Sequence, residues 1–183
     1  MKVDEFALIE RIIKGEPELY SFFVTNYNRD IFHLAFQLTK DRELAEDLTQ
    51  DIFLKGFQKI KTFQKKSQFN TWLYRIAYNL IISETRKRKM RFSYLHDDED
   101  IYENVAEIDT FFEDDATEQR YQQLDDAIRQ LSKDEYSLIL FYYYEQKTME
   151  EIAFITTQTV ANVKVKLFRI RKKLFNIMRY ERE

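Results

Sequence analysis

The sequence predicts an all-α protein made of two small helical domains joined by an acidic linker. Three observations carry this. Only two Gly (Gly15, Gly56) and one Pro (Pro17) occur in 183 residues, and all-β folds or Gly-rich phosphate loops need far more turn residues. Apolar residues, 44% of the chain, recur at helical spacing on both sides of the middle. The charge is divided: residues 92–119 hold eleven Asp or Glu and no Lys or Arg. The formal net charge of −3 therefore conceals +5 on residues 1–91 and +3 on residues 120–183. Two basic modules about an acidic segment suit a polyanionic partner. A solvated linker between two ordinary helical domains would leave the same pattern.

Composition excludes much. There is no Cys, so disulfides and thiolate metal sites are ruled out. No apolar run is long enough to span a membrane. The N-terminus, acidic and amphipathic, is unlike a signal peptide, and a cytoplasmic protein is the simplest expectation.

Four helices are expected before the linker. The first covers about 4–14 with Asp4 as N-cap. The second starts near Pro17, a favourable first-turn position, and runs to about 39. The third covers 41–61 and the fourth 69–90. After the linker come helices near 119–131, 133–145, 148–155 and 159–180. Ser132 with Glu135, and Thr148 with Glu151, have capping-box spacing.

On the third helix, Leu44, Ala45, Leu48, Ile52, Phe53, Gly56, Phe57 and Ile60 share one side. Glu43, Asp47, Gln50, Asp51, Leu54, Gln58 and Lys61 share the other. A polar face in water accounts for most of these. Leu54, ringed by Asp47, Gln50 and Asp51, is the exception, and it resembles a small interface anchor.

The fourth helix has Phe69, Leu73, Ile76, Ala77 and Leu80 as its expected core stripe, with Trp72 at the margin. Arg75, Tyr78, Asn79, Ile82, Arg86 and Lys89 are expected opposite. Cations meet phosphate, aromatics stack on unpaired bases and Asn can read a base edge. A core helix with a solvated basic end is the other reading. The polar loop "KKSQ" (65–68) borders this surface.

Near the C-terminus a short helix, a turn and a longer helix form a candidate helix-turn-helix. Val160, Val163, Leu167, Ile170, Leu174 and Ile177 make its core stripe. Gln158 in the turn precedes an outward face of Asn162, Val165, Arg169 and Lys172, flanked by Lys164, Lys166, Arg171 and Lys173. In such a motif the second helix enters the major groove, although any helical hairpin has the same periodicity.

Four stretches carry a resemblance: "DRELAEDLTQDIFLKGF" (41–57), "FNTWLYRIAYNLIISETRKRK" (69–89), "LSKDEYSLILFYYYE" (131–145) and "TMEEIAFITTQTVANVKVKLFRIRKKL" (148–174). In order and spacing they resemble the two-domain, extracytoplasmic-function (ECF) type of bacterial sigma factors in the sigma-70 family. The resemblance implies a sigma factor that binds core RNA polymerase and directs promoter recognition, strand opening and transcription initiation. It assigns 1–91 to polymerase and the minus-ten element, 92–118 to the linker, and 119–183 to the minus-thirty-five element.

Residue by residue, the resemblance implies that Asp47, Gln50, Asp51 and Leu54 contact the polymerase. Trp72, Arg75, Tyr78, Asn79, Arg86 and Lys89 would serve the minus-ten DNA. Gln158, Asn162, Val165, Lys166, Arg169 and Lys172 would serve the minus-thirty-five duplex. An anti-sigma factor is an implied partner, without membrane insertion of the chain itself. Three positions depart from the family pattern. Tyr78 stands where Arg is common, Thr157 where a turn Gly is usual, and Asn162 where Thr is usual.

Other functions are weighed on the residues. A stand-alone helix-turn-helix regulator would bind duplex DNA without polymerase and would not need the polar face of the third helix. An enzyme is not expected: there is no Cys, Gly-rich phosphate loop or catalytic constellation, His33 is read as structural, and His96 beside "DDED", which could bind a hard cation, is read instead as part of a solvated acidic run.

Overall fold

In the computed structural model, residues 3–90 and 118–180 are described; the linker assigned to 92–118, with His96, lies outside them apart from its last residue. Eight α-helices run in order among these residues. They are α1 (Glu5–Lys14), α2 (Ser21–Thr39), α3 (Arg42–Lys59), α4 (Phe69–Met90), α5 (Glu118–Arg129), α6 (Lys133–Ile139), α7 (Met149–Thr156) and α8 (Val160–Tyr180). Short 3₁₀ turns at Pro17–Tyr20 and Ile60–Thr62 lead into α2 and out of α3.

The helix ends follow local chemistry. Asp4 accepts from the Phe6 and Ala7 backbone N–H groups, and Gly15 closes α1 at φ 118°, a left-handed geometry cheap only for glycine. Both capping boxes form, at Ser132–Glu135 and Thr148–Glu151. The expected 133–145 helix instead changes pitch. Leu140–Tyr144 is a π turn, with the Glu145 N–H donating to the Leu140 carbonyl at 2.9 Å. That wider turn leaves Tyr142, Tyr143 and Tyr144 exposed.

α2, α3 and α4 pack together around Phe23, Ile31, Leu34, Ile52, Phe69 and Leu73. Tyr20 crosses this core and donates to the Phe53 carbonyl at 3.0 Å. It passes Gly56, where a Cβ would lie 2.6 Å from its hydroxyl. A close approach therefore requires glycine in α3. In the C-terminal half, α8 packs on α5, α6 and α7 through Val163, Leu167, Ile170 and Leu174, as expected, with Phe175 and Met178 added.

The halves do not stand apart. α7 lies along α4, and the Tyr74 and Tyr78 rings meet Phe141 edge-on at 6.1 and 6.0 Å. Consequently α4 is buried on two sides. Its first stripe contains Phe69, Leu73, Ala77 and Ile81; its second contains Thr71, Tyr74, Tyr78 and Ile82. The expectation that Tyr78 and Ile82 face outward is corrected by this docking. Ile76 and Leu80, expected in the core stripe, are half-buried. His33, read as structural, is exposed and sits 3.3 Å from the Gln37 amide nitrogen.

Candidate nucleic-acid and polymerase interface

The polar face of α3 is placed as expected. Asp47, Gln50 and Asp51 are exposed, and Leu54 among them is 56% exposed. α3 can present it because Ala45, Leu48, Ile52 and Gly56 hold the opposite side against the core. Phe57, expected in that core, is partly exposed but keeps a ring contact with Tyr20 at 5.1 Å.

Beside it, the end of α3, the loop 62–67 and α4 enclose a notch of about 550 Å³. Trp72, Arg75 and Asn79 line it, together with Lys55, Lys59 and Lys66. Three of the six minus-ten candidates are thus brought together. Their surroundings differ from expectation. Trp72 is 9% exposed and packs between Phe63 and Phe69, both 5.5 Å away; it is a wall of the notch anchored in the core. Asn79 is exposed and its Nδ2 donates to the Arg75 carbonyl at 2.9 Å, which leaves Oδ1 as an acceptor. The Arg75 guanidinium lies 4.8 Å from the Phe154 ring of α7.

Lys55 and Lys59 were missed by sequence reasoning. Their spacing of four residues places them one turn apart on α3, the only sequence signal that could have flagged them. Lys89 lies in the last turn of α4, and its side chain is outside the described residues.

Two minus-ten candidates face elsewhere. The Tyr78 hydroxyl donates to Asp134 Oδ1 at 3.0 Å, and Arg86 Nη2 donates to Asp134 Oδ2 at 2.7 Å. One carboxylate thus takes both donors. Burial first, then the Asp134 charge, pushes the Tyr78 phenol well above its usual range; the Asp134 bond holds the Arg86 guanidinium charged. Tyr78 is therefore neutral, and its ring is used by Phe141 rather than offered for stacking.

In the C-terminal half, α7, a turn and α8 form the helix-turn-helix. Thr157 takes the left-handed conformation, φ 58° and ψ 43°, where the usual residue is glycine. Thr159 Oγ1 accepts from the Asn162 N–H at 3.2 Å and starts α8. Asn162, Val165, Lys166 and Arg169 are exposed on one side. Lys172 is half-buried. Gln158 is turned inward, its Oε1 buried without a hydrogen-bond partner among the described residues. Among the described residues no group of three His, Asp or Glu is placed to hold a metal ion, and no helix is long and apolar enough to cross a membrane.

A helical module with an aromatic-walled basic notch, docked on a helix-turn-helix module with a basic outward face, defines a DNA-directed protein of two recognition surfaces. Family models agree. Residues 23–91 match Sigma-70 region 2 and residues 121–174 match Sigma-70 region 4. A stand-alone helix-turn-helix regulator would account only for the second match.

The chain is 26% identical over 176 residues to the ECF RNA polymerase sigma-E factor of Haemophilus influenzae, covering 93% of each chain. It is 28% identical over 180 residues to the RNA polymerase sigma-H factor of Pseudomonas aeruginosa, covering 91% of this chain and 90% of that one. The fold is similar to CnrH in complex with the cytosolic domain of CnrY (TM-score 0.65, 16% identity, 95% and 96% covered). It is also similar to the sigma factor RpoE in complex with the anti-sigma factor NepR from Bartonella quintana (TM-score 0.60, 21% identity, 87% and 96% covered). The chain belongs to the sigma-70 family, ECF type, and its function is that of a sigma factor in transcription initiation.

Proposed function

We propose that residues 1–91 bind core RNA polymerase and the minus-ten element, that 92–118 is an acidic linker, and that 119–183 bind the minus-thirty-five element. Asp47, Gln50, Asp51 and Leu54 grip the polymerase. Trp72, Arg75 and Asn79 line the site of an unpaired base, Arg86 and Lys89 meet phosphate, and Tyr78 becomes available only when Asp134 withdraws. Asn162, Val165, Lys166, Arg169 and Lys172 face the upstream duplex, with Gln158 supporting the turn. The protein is cytoplasmic and non-catalytic; phosphodiester synthesis belongs to the polymerase. An anti-sigma factor is a regulatory partner.

The notch is the observation that supports this reading best. Strand opening takes at least one base out of the stack, at a cost of a few kcal/mol. A base entering the notch meets the Trp72 wall, the Asn79 amide and three lysines on α3 and the loop. A hydrogen bond from the base edge to Asn79 Oδ1 and phosphate contacts to the lysines recover part of that cost, with the buried Trp72 serving as a wall of the notch.

The test is Asn79→Ala. Polymerase binding and upstream duplex binding stay intact, while unpaired thymines detected by permanganate at the minus-ten element decrease. A variant that opens the promoter as completely and as fast as the parent overturns the assignment.

A further inference from the structure

Where the end of α2 meets the α5–α6 turn there is a cleft of about 420 Å³ that the promoter reading does not use. Three cations border it, Lys40, Arg129 and Lys133, against one carboxylate, Asp125. Ile128, Leu131 and Tyr136 supply its apolar lining. An apolar floor with a few convergent polar groups is the make-up of a small-molecule site, and the volume is of that order.

The cations are short of counter-charge. Among the described residues Lys133 makes no ion pair. Burial of its ammonium first, then the charge of Lys40, pushes its pKa below the ordinary lysine value. The carboxylates next to it in sequence are committed elsewhere. Asp134 accepts from Arg86, while Glu135 accepts from the Ser132 N–H and pairs with Lys173. Lys40 donates to a neutral acceptor, Gln37 Oε1, at 2.7 Å and lies 5.3 Å from the Tyr136 ring centre. The Tyr136 hydroxyl donates to the same Gln37 oxygen at 2.9 Å, so one amide fixes both the ring and the ammonium. Lys40 takes this position from a left-handed backbone, φ 57° and ψ 23°, which costs lysine more than glycine. Only Arg129 is neutralised, by Asp125 at 2.6 Å and Asp126 at 3.9 Å. Two like charges facing one cleft repel, and an anion placed between them turns that repulsion into attraction.

We propose that this cleft binds a nucleoside diphosphate, its phosphates between Lys40, Lys133 and Arg129 and its nucleoside on Ile128 and Leu131. Ammonium and guanidinium groups give phosphate oxygens charge-assisted hydrogen bonds. The nucleoside lies on the aliphatic side because Lys40 occupies the Tyr136 ring. Asp125 is the built-in competitor: it holds the Arg129 guanidinium that the phosphates would otherwise take. A ligand seated here touches α2's end, α5 and α6 together and stabilises the folded chain by mass action. The site stands apart from the assignment of α4 to the promoter.

The test is isothermal titration calorimetry on the full chain, at low salt, with adenosine diphosphate, guanosine diphosphate and inorganic pyrophosphate as separate probes. At least one nucleotide binds with micromolar Kd, more tightly than pyrophosphate, and raises the thermal unfolding midpoint as its concentration rises. Lys40→Asn with Lys133→Gln weakens that binding by about ten-fold or more, the loss expected for charged hydrogen bonds; Asn tolerates the left-handed backbone at position 40. Asp125→Asn acts in the opposite direction and tightens binding, a gain that a merely loosened fold does not give.

Three results overturn the proposal: no heat and no midpoint shift with either nucleotide at millimolar concentration, equal affinity for pyrophosphate and nucleotide, or unchanged affinity in the double lysine variant. A duplex DNA arm separates a free nucleotide from a DNA phosphate as the source of the anion. Duplex affinity unchanged by the lysine substitutions supports the nucleotide site. Loss of duplex affinity in that variant, with duplex displacing nucleotide from the parent, overturns it in favour of a DNA backbone contact.

Discussion

Replacing Gly56 by Ala tests how α3 is seated beneath its exposed polar face. In the middle of a helix the change is ordinarily favourable by about 0.5–1 kcal/mol. Here the new Cβ falls 2.6 Å from the Tyr20 hydroxyl and 3.2 Å from Leu73 Cδ1. The leucine methyl ends a flexible side chain and can yield. The hydroxyl cannot move without breaking its bond to the Phe53 carbonyl at 3.0 Å. Overpacking costs about 1–3 kcal/mol, and a lost buried hydrogen bond with its groups unsatisfied costs about 1–3 kcal/mol. The helix gain offsets the smallest part, so Gly56→Ala destabilises by about 1–5 kcal/mol. In a Tyr20→Phe background the hydroxyl is absent and the nearest ring atom, Cζ, is 3.9 Å away, ordinary contact. Gly56→Ala then becomes neutral or mildly stabilising. Urea unfolding of the four proteins, followed by circular dichroism, gives the coupling directly. An equal cost in both backgrounds would refute the reasoning and move the clash from the hydroxyl to the backbone or Leu73.

Asp51→Arg with Leu54→Glu is expected to abolish co-elution with core polymerase while leaving helicity unchanged, since a central anchor is worth about 2 kcal/mol or more; undiminished co-elution removes the α3 face from the interface. Thr157→Gly should raise stability by up to about 1 kcal/mol, because a β-branched residue at φ 58° carries a steric cost that exceeds the entropy glycine loses; a lower denaturation midpoint would show that the turn is unstrained. Burial raises the Glu151 pKa, but hydrogen bonds from Thr148 and Thr71 outweigh it and the net shift is below the ordinary 4.5. A depressed folded value means the contribution is complete above 4.5 and lost as pH falls through the lower folded value. NMR titration should show the Thr148 cap and the Thr71 contact released together in that acid range, and release near neutral pH would contradict the assignment.

The sequence by itself determined the helices apart from the π turn at Leu140–Tyr144, the caps at Asp4, Ser132 and Thr148, and two of the three exposed faces. Ser132–Glu135 and Thr148–Glu151 are local devices whose donors and acceptors lie three residues apart, so spacing suffices. The faces around Leu54 and around Asn162 and Val165 were legible for a related reason: their polar and basic residues sit opposite a clear apolar stripe. Trp72, Arg75 and Asn79 were rightly grouped, although nothing local said that Trp72 would be held in the core between Phe63 and Phe69.

Only the tertiary structure decided the second stripe of α4. Helical periodicity gives the direction in which a side chain leaves the axis, not the surface it meets. Thr71, Tyr74 and Tyr78 each join an apolar body to a hydroxyl and suit water, a base or a protein interface equally. What settled the matter was a set of carboxylates far along the chain, Asp134, Glu145 and Glu151. The π turn at Leu140–Tyr144 leads directly to Glu145, whose N–H closes it, and Glu145 accepts from Tyr74. Charge counting could not show this pairing, because opposite charges on distant segments add to the same total whether they meet or remain apart.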